Sequence, residues 1–171
     1  DSRKLPCIWY QCDERDSDPA AFFYYMGLAA KKAAPGHKRP LPLLTPEYLA
    51  GIPVFTRRYF ERLYSRLVAS HAGRISKQGF FIILDNYQDV PDDSQLHELL
   101  AVGLDMIPKG VHIVVLSRRD PPAALSRLQA NYKFHLLGYS DIRFTLEESI
   151  SLIQKRFPKL DSRHIKAIHE K

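Results

Sequence analysis

The chain has 171 residues, enough for one large domain or two small ones with a proper core. Its 45% hydrophobic and 26% charged residues are the values of an ordinary globular protein, and no 18-residue apolar run or signal-peptide pattern indicates a membrane span or export. A net charge of +6 invites a nucleic-acid reading, but basic pairs such as Lys31-Lys32, Arg57-Arg58 and Arg118-Arg119 are scattered rather than gathered on one motif.

Residues 7–12 (Cys-Ile-Trp-Tyr-Gln-Cys) predict a strand running into the polar stretch 13–18. Cys7 and Cys12 are an odd number of positions apart, which puts them on opposite faces and argues against a bridge. A reduced, cytoplasmic protein is the resulting expectation. Asp18 and Pro19 suit the cap and first position of a helix from Ala20 to Ala34, which Pro35-Gly36 stops. Its aromatic cluster Phe22-Phe23-Tyr24-Tyr25 reads as core in preference to a stacking platform for bases. Five of the twelve prolines fall in residues 35–53, an exposed, locally extended connector. A helix from Val54 to Ala72 follows, with Phe55, Tyr59, Leu63 and Leu67 on its apolar stripe and His71 as a C-terminal helix partner in preference to a catalytic base.

After a loop at 73–79, Phe80-Phe81-Ile82-Ile83-Leu84 runs straight into Asp85. An uninterrupted apolar run this short suits a strand covered on both faces, with its carboxylate emerging where open α/β sheets place their ligand crevices. Asp92-Asp93-Ser94 offers caps for a helix from Gln95 to Met106, and Pro108-Lys109-Gly110 makes a turn. Val111 to Leu116 is a second β-branched run, ending at Ser117, Arg118, Arg119 and Asp120. Pro121-Pro122 precedes a short helix with Leu125 and Leu128, and Phe134 to Leu137 predicts a third brief strand. Thr145-Leu146-Glu147-Glu148 is a capping box for a helix carrying Ile150, Ile153 and Phe157, and Asp161 can cap a last helix with Ile165 and Ile168.

Strands alternating with helices predict an α/β fold: three layers, a mostly parallel sheet with helices on both faces, and a helical C-terminal end. Parallel strands bring Asp85 to the same edge as Arg118 and Arg119. An acid to hold a metal and an arginine to touch a phosphate are what nucleotide chemistry requires. No G-x-S-x-G, H-E-x-x-H or zinc-type Cys/His set occurs.

Four stretches go further: Trp9 to Phe22, with an acidic turn and Asp18-Pro19-x-x-Phe22; Leu84-Asp85-Asn86-Tyr87; Pro108 to Pro122, with Ser117-Arg118-x-Asp120-Pro121-Pro122; and Asp141 to Glu148, with Arg143-Phe144-Thr145. In this order they resemble the nucleotide-binding region of the STAND-class P-loop ATPases, and among them the large MalT-like regulators of the LuxR type. The resemblance implies a P-loop NTPase-like core over residues 1–140 and the start of a helical subdomain over 141–171. It implies that Asp85 helps to hold Mg²⁺, that Asp85, Asn86, Ser117 and Arg118 form the nucleotide-binding edge, and that Arg118 is the sensor arginine. ATP and Mg²⁺ as cofactors, self-association, and DNA binding through a separate domain are expected of the whole protein.

The departures define the expectation for this chain. None of its eight glycines is followed by Lys, so no G-x-x-x-x-G-K-[ST] loop is present to cradle phosphates. The chain is therefore expected to be an internal piece of a regulator, lacking the first core strand, with no ATPase activity and no bound cofactor of its own. Asn86 stands where a second acid is often found, and an amide cannot act as a base toward water. The alternative is a non-catalytic α/β interaction module that has lost nucleotide binding. Deleting a central strand exposes unpaired backbone, so strand 134–137 is expected to close against 111–116 or to pair with a second molecule.

Overall fold

Phe80–Asp85 forms the middle strand, β2, of a three-stranded parallel sheet in a computed structural model that describes residues 5–131, 133–158 and 160–169. β1 (Cys7–Gln11) and β3 (Val111–Val115) flank it, in the order β1-β2-β3. Cys7 lies opposite Phe81 and Phe80 opposite Val111, so side-chain parity is shared across all three strands. Ile8, Tyr10, Phe80, Ile82, Leu84, Val111, Ile113 and Val115 accordingly share one face, and that face carries the hydrophobic core. Cys12 is buried and Cys7 exposed, both as free thiols.

Three helices supply most of the rest of this core: α1 (Pro19–Ala33), α2 (Ile52–Gln78) and α3 (Leu96–Asp105). The Asp18 carboxylate accepts from Ala20 N at 2.9 Å and caps α1, with Pro19 at its first position. The aromatic cluster of α1 divides. Phe22 and Phe23 are buried, whereas Tyr24 and Tyr25 are exposed and meet edge to face at 5.2 Å. A helix turns about 100° per residue, so four consecutive rings cannot share one apolar stripe. Phe23 stands at the junction with α2, its ring 4.6 Å from that of Tyr59, whose hydroxyl donates to the Phe23 carbonyl at 2.7 Å. The Tyr64 hydroxyl donates to the Gly103 carbonyl at 2.8 Å and ties α2 to α3.

Two expectations are corrected. Residues 73–78 are not a loop: α2 runs to Gln78 through a kink at His71, where φ is −124°. His71 Nδ1 donates to the Leu67 carbonyl at 3.1 Å, so the side chain satisfies a carbonyl at the break. Beyond it, Ile75 packs so closely on Gly110 that an added β-carbon would lie 2.4 Å from it, a tertiary contact that holds the second segment. Residues 134–137 form no strand, and the expected closure against β3 is absent. Leu136 and Leu137 are exposed; four residues contribute too few ladder bonds to offset their ordering.

On the opposite sheet face Trp9, Val114 and Leu116 are exposed, Phe81 and Ile83 are half-buried, and His112 stacks on Phe81 at 5.1 Å. The chain divides into two compact units, Asp1–Phe134 and His135–Lys171. The first ends with a short helix, α4 (Ser126–Ala130), whose Leu128 is buried beside Leu125. The second holds α5 (Tyr139–Ile142), α6 (Leu146–Arg156) and α7 (Ser162–His169). Both halves of the expected capping box are made: Thr145 Oγ1 accepts from Glu148 N at 3.2 Å, and the Glu148 carboxylate accepts from Thr145 N at 2.8 Å. Ser149 Oγ and His169 Nδ1, 2.9 Å apart, join α6 to α7.

Gly103 lets α3 approach α2, since a β-carbon there would meet three atoms of the buried Phe60 ring at 2.5–2.7 Å. Replacing a helical Gly by Ala gains about 1 kcal/mol of propensity, while overpacking a core costs ~1–3 kcal/mol. With three ring atoms in collision the second effect dominates, so Gly103→Ala is expected to lower the urea midpoint. A raised midpoint would show that Phe60 has room to move.

Candidate functional site

The apolar run of β2 ends because the chain must leave the sheet at Asp85, whose carbonyl still accepts from Cys12 N at 2.8 Å. Asp85 lies on the open sheet face, and both its carboxylate oxygens are engaged. Oδ2 accepts from the Trp9 indole at 3.2 Å and Oδ1 from Asn86 N at 3.0 Å. Asn86 has φ 55° and ψ 37°, the left-handed region that Asn tolerates better than most residues. That single residue turns the chain into a helical turn at Tyr87–Asp89.

The same turn is fastened to the end of β3. Leu116 N donates to the Leu84 carbonyl at 2.8 Å, and Tyr87 N donates to the Leu116 carbonyl at 3.0 Å. Gln88 Oε1 then accepts from Arg118 N at 3.2 Å. These bonds place the ends carrying Asp85, Asn86, Ser117 and Arg118 side by side on one edge, where parallel strands should bring them. No hydrogen bond or ion pair joins Asp85 to Arg118 among the described residues. The Ser117 hydroxyl accepts from Arg119 N at 3.0 Å, and Arg119 rather than Arg118 has an acidic partner, Asp92, at 3.1 Å. Arg118 is exposed. The geometry thus offers one anchored carboxylate and one arginine with its backbone fixed and its side chain out in solvent.

Sequence reading overlooked Trp9, Gln88 and Tyr87 as parts of this edge. Trp9 lies opposite Ile83, two residues back along the sheet from Asp85 and on the same face, so the register brings it into reach. The Tyr87 hydroxyl lies 2.7 Å from His97 Nδ1, and His97 Nε2 lies 2.8 Å from the Pro91 carbonyl. A carbonyl can only accept, so Nε2 donates to Pro91 while Nδ1 pairs with the Tyr87 hydroxyl. This buried chain braces the turn against α3.

Next to the edge, the acidic stretch 13–18 folds into a helical turn. The buried Asp16 carboxylate accepts from the Tyr10 hydroxyl and from Asp13 N at 2.9 Å, while the exposed Asp13 and Arg15 side chains pair at 2.6 Å. Burial pushes the Asp16 carboxyl above its ordinary value, against the pull of its Tyr10 hydrogen bond. Burial raises the Tyr10 hydroxyl as well, and pushes the Cys12 thiol up to about 12, leaving it un-ionised and unreactive at neutral pH. A cavity of about 580 Å³ opens beside β1, lined by Trp9, Gln11, Asp13, Arg15, Tyr25 and Lys32. No group of three or more His, Cys, Asp or Glu side chains is placed to hold a metal ion among the described residues. No helix there is long and apolar enough to cross a membrane.

A carboxyl whose folded pKa is raised favours the fold most when protonated, and that contribution fades as pH rises from the unfolded value near 3.8 through the folded one. Thermal unfolding followed from pH 3.5 upward should show this loss in the wild type but not in Asp16→Asn, whose side chain does not titrate. Parallel pH profiles for the two proteins would contradict the assignment to Asp16.

No family model matches the chain. Among characterised proteins it is similar to the "HTH-type transcriptional regulator MalT" of Serratia proteamaculans, 25% identical over 142 residues, or 82% of this chain. The protein of the same name from Vibrio cholerae is 27% identical over 149 residues, or 86% of this chain. The chain spans only 14–15% of the length of these relatives. Over most of its length, then, this chain is similar to the MalT-type transcriptional regulators.

Proposed function

We propose that these residues form one side of the nucleotide-responsive core of a MalT-like transcriptional regulator. The observation that carries this reading is the joined edge: Asp85 and Asn86 fastened to Ser117 and Arg118 through Tyr87–Leu116 and Gln88–Arg118. In the whole protein Asp85 would supply one carboxylate to Mg²⁺, whose other ligands would come from water and the nucleotide phosphates. Its two oxygens each accept one hydrogen bond and keep lone pairs free, so the residue fits that duty. Arg118, held only through its backbone, would swing to a terminal phosphate. ATP would act as a ligand that biases self-association, with DNA contacted by a separate domain; Asn86 argues against hydrolysis as the purpose of the site. The 171 residues alone carry no phosphate-cradling glycine-lysine loop, so they would neither hold ATP tightly nor turn it over.

The open sheet face with Trp9, Val114 and Leu116 favours a second reading, an interaction module that has lost its nucleotide. Calorimetry separates the two. The 171-residue chain is expected to give no saturable heat with Mg-ATP, and tight binding by it would overturn both readings. Expressed with the coding sequence that precedes it, the protein should bind Mg-ATP, and Asp85→Ala should weaken that binding at least about tenfold, the scale of one charge-assisted contact. Unchanged affinity in that variant, or no binding by the longer protein, would leave the interaction module as the better account.

A further inference from the structure

Arg66 is the one described side chain that is buried with a polar atom unpartnered: it is 6% exposed, and Nη1 has no hydrogen-bond acceptor. It sits on the face of α2 that the connector crosses, and Nη2 donates to the carbonyl of Arg39. One helical turn on, Ser70 Oγ and His37 Nδ1 approach to 3.2 Å at the surface, so the segment 37–39 lies against Arg66 and Ser70 together. A guanidinium stays charged at any physiological pH and offers five N–H donors; a single backbone carbonyl satisfies one of them. The ion pairs among the described residues are Asp13–Arg15, Asp92–Arg119 and Asp105–Lys133, none of which involves Arg66. A charge buried without a counter-ion is strongly unfavourable, far more than a core hydrophobe of the same volume would be.

The surroundings point to what would neutralise it. Between Lys31 and Ser70 there are eight Lys or Arg against two acids, so this stretch carries a charge equal to the whole chain's +6. Arg39, Lys38 and Arg62 are exposed beside the connector and α2, and Arg57 and Arg58 are exposed further along the helix. Such a field concentrates anions, and doubly charged ones most. Arg66 Nη1 is a donor without an acceptor, and Ser70 and His37, bonded to each other one helical turn on, keep further hydrogen-bonding capacity; donors of these types suit the acceptor oxygens of an oxyanion.

We propose that Arg66, with Ser70 and His37, forms a binding site for a phosphate group between α2 and the connector 37–39. The phosphate is either free or carried by a small molecule, and its binding fastens the connector to α2. The site uses no residue of the Asp85–Arg118 edge and stands whether or not that edge meets a nucleotide.

Thermal unfolding of the 171-residue chain tests this in low-millimolar inorganic phosphate, acetate or chloride at matched ionic strength and pH. A ligand that binds only the folded chain raises the midpoint, by about 2–4 °C for each factor of five or so in excess over its dissociation constant in a chain of this size. Phosphate is expected to raise it, chloride to leave it unchanged, and acetate to act weakly if at all. Arg66→Met should remove the phosphate response, whereas Arg57→Gln and Arg58→Gln, on the exposed side of α2, should keep it. Equal shifts with all three salts, or a phosphate shift that survives Arg66→Met, would reduce the effect to general screening and overturn the proposal. Should Arg66→Met fail to fold, Ser70→Ala and His37→Ala take its place, and each must weaken the response. Repeating the titration with a phosphate monoester distinguishes the sources: a larger shift than with inorganic phosphate assigns a carried phosphate, a smaller one free phosphate. No phosphate-specific shift in the wild type sinks the idea outright.

Discussion

Parallel pairing of β2 with a strand on either side is the constraint on which the rest of the first unit depends. Parallel neighbours cannot be joined by a tight turn, so the chain must travel the length of the sheet between them. α1, the proline-rich connector and α2 make that return between β1 and β2, and α3 makes it between β2 and β3. Each helix is thereby delivered to the sheet with its apolar stripe available. The shared register puts Ile8, Ile82 and Ile113 in one row and hence on one face, which all three helices then cover together. The core is continuous because the strands agree in phase; a one-residue slip of β2 would send Phe80, Ile82 and Leu84 to the other side.

The same parallelism creates the candidate site without any residue having been brought there by a long-range side-chain contact. Strand ends that point the same way finish on the same edge, and the polar residues that end each apolar run arrive together. What refines the edge is a small set of bonds between the strand ends themselves. The left-handed Asn86 lets the chain turn at once, the Tyr87 N–H donates to the Leu116 carbonyl, and the Gln88 side-chain oxygen accepts from Arg118 N. Asp85 is oriented by the Trp9 indole, a neighbour across the sheet. Such hydrogen bonds fix direction without consuming all of a carboxylate's accepting capacity.

Elsewhere the molecule holds groups in places their own chemistry disfavours. Trp9, Val114 and Leu116 sit on a sheet face where they stay exposed, although large apolar side chains gain most from burial. Arg66 shows the reverse, a permanent charge taken from water with one carbonyl to meet it. A sequence under selection only for a stable isolated fold would resolve both by exchanging polarity, and conflicts of this kind gather at surfaces and sites that answer to something outside the fold.

Much of this was legible residue by residue. The apolar run 80–84, the β-branched run 111–116, the Asp18-Pro19 helix start and the Thr145-Glu148 capping box are local patterns with local causes, and each stands where the chain alone places it. The α/β class follows from their alternation, and likeness to MalT-type regulators follows from four short stretches in order. The rest depended on partners distant in sequence. Residues 134–137 have strand-like composition but form no ladder, because pairing depends on where the fold carries a segment and not on its letters. Residues 73–78 continue a helix past Gly73 because Ile75 meets Gly110. Tyr24 and Tyr25 are exposed where Phe22 and Phe23 are buried, and nothing in the letters of Arg66 separates it from the exposed Arg62 one turn away. The sequence by itself determined the elements, their caps and the polar residues that end each strand, since these answer to neighbours a few positions off. Only the tertiary structure decided which face became the core, which acid met which donor and which cation was left without one, since each of those depends on groups that folding alone brings together.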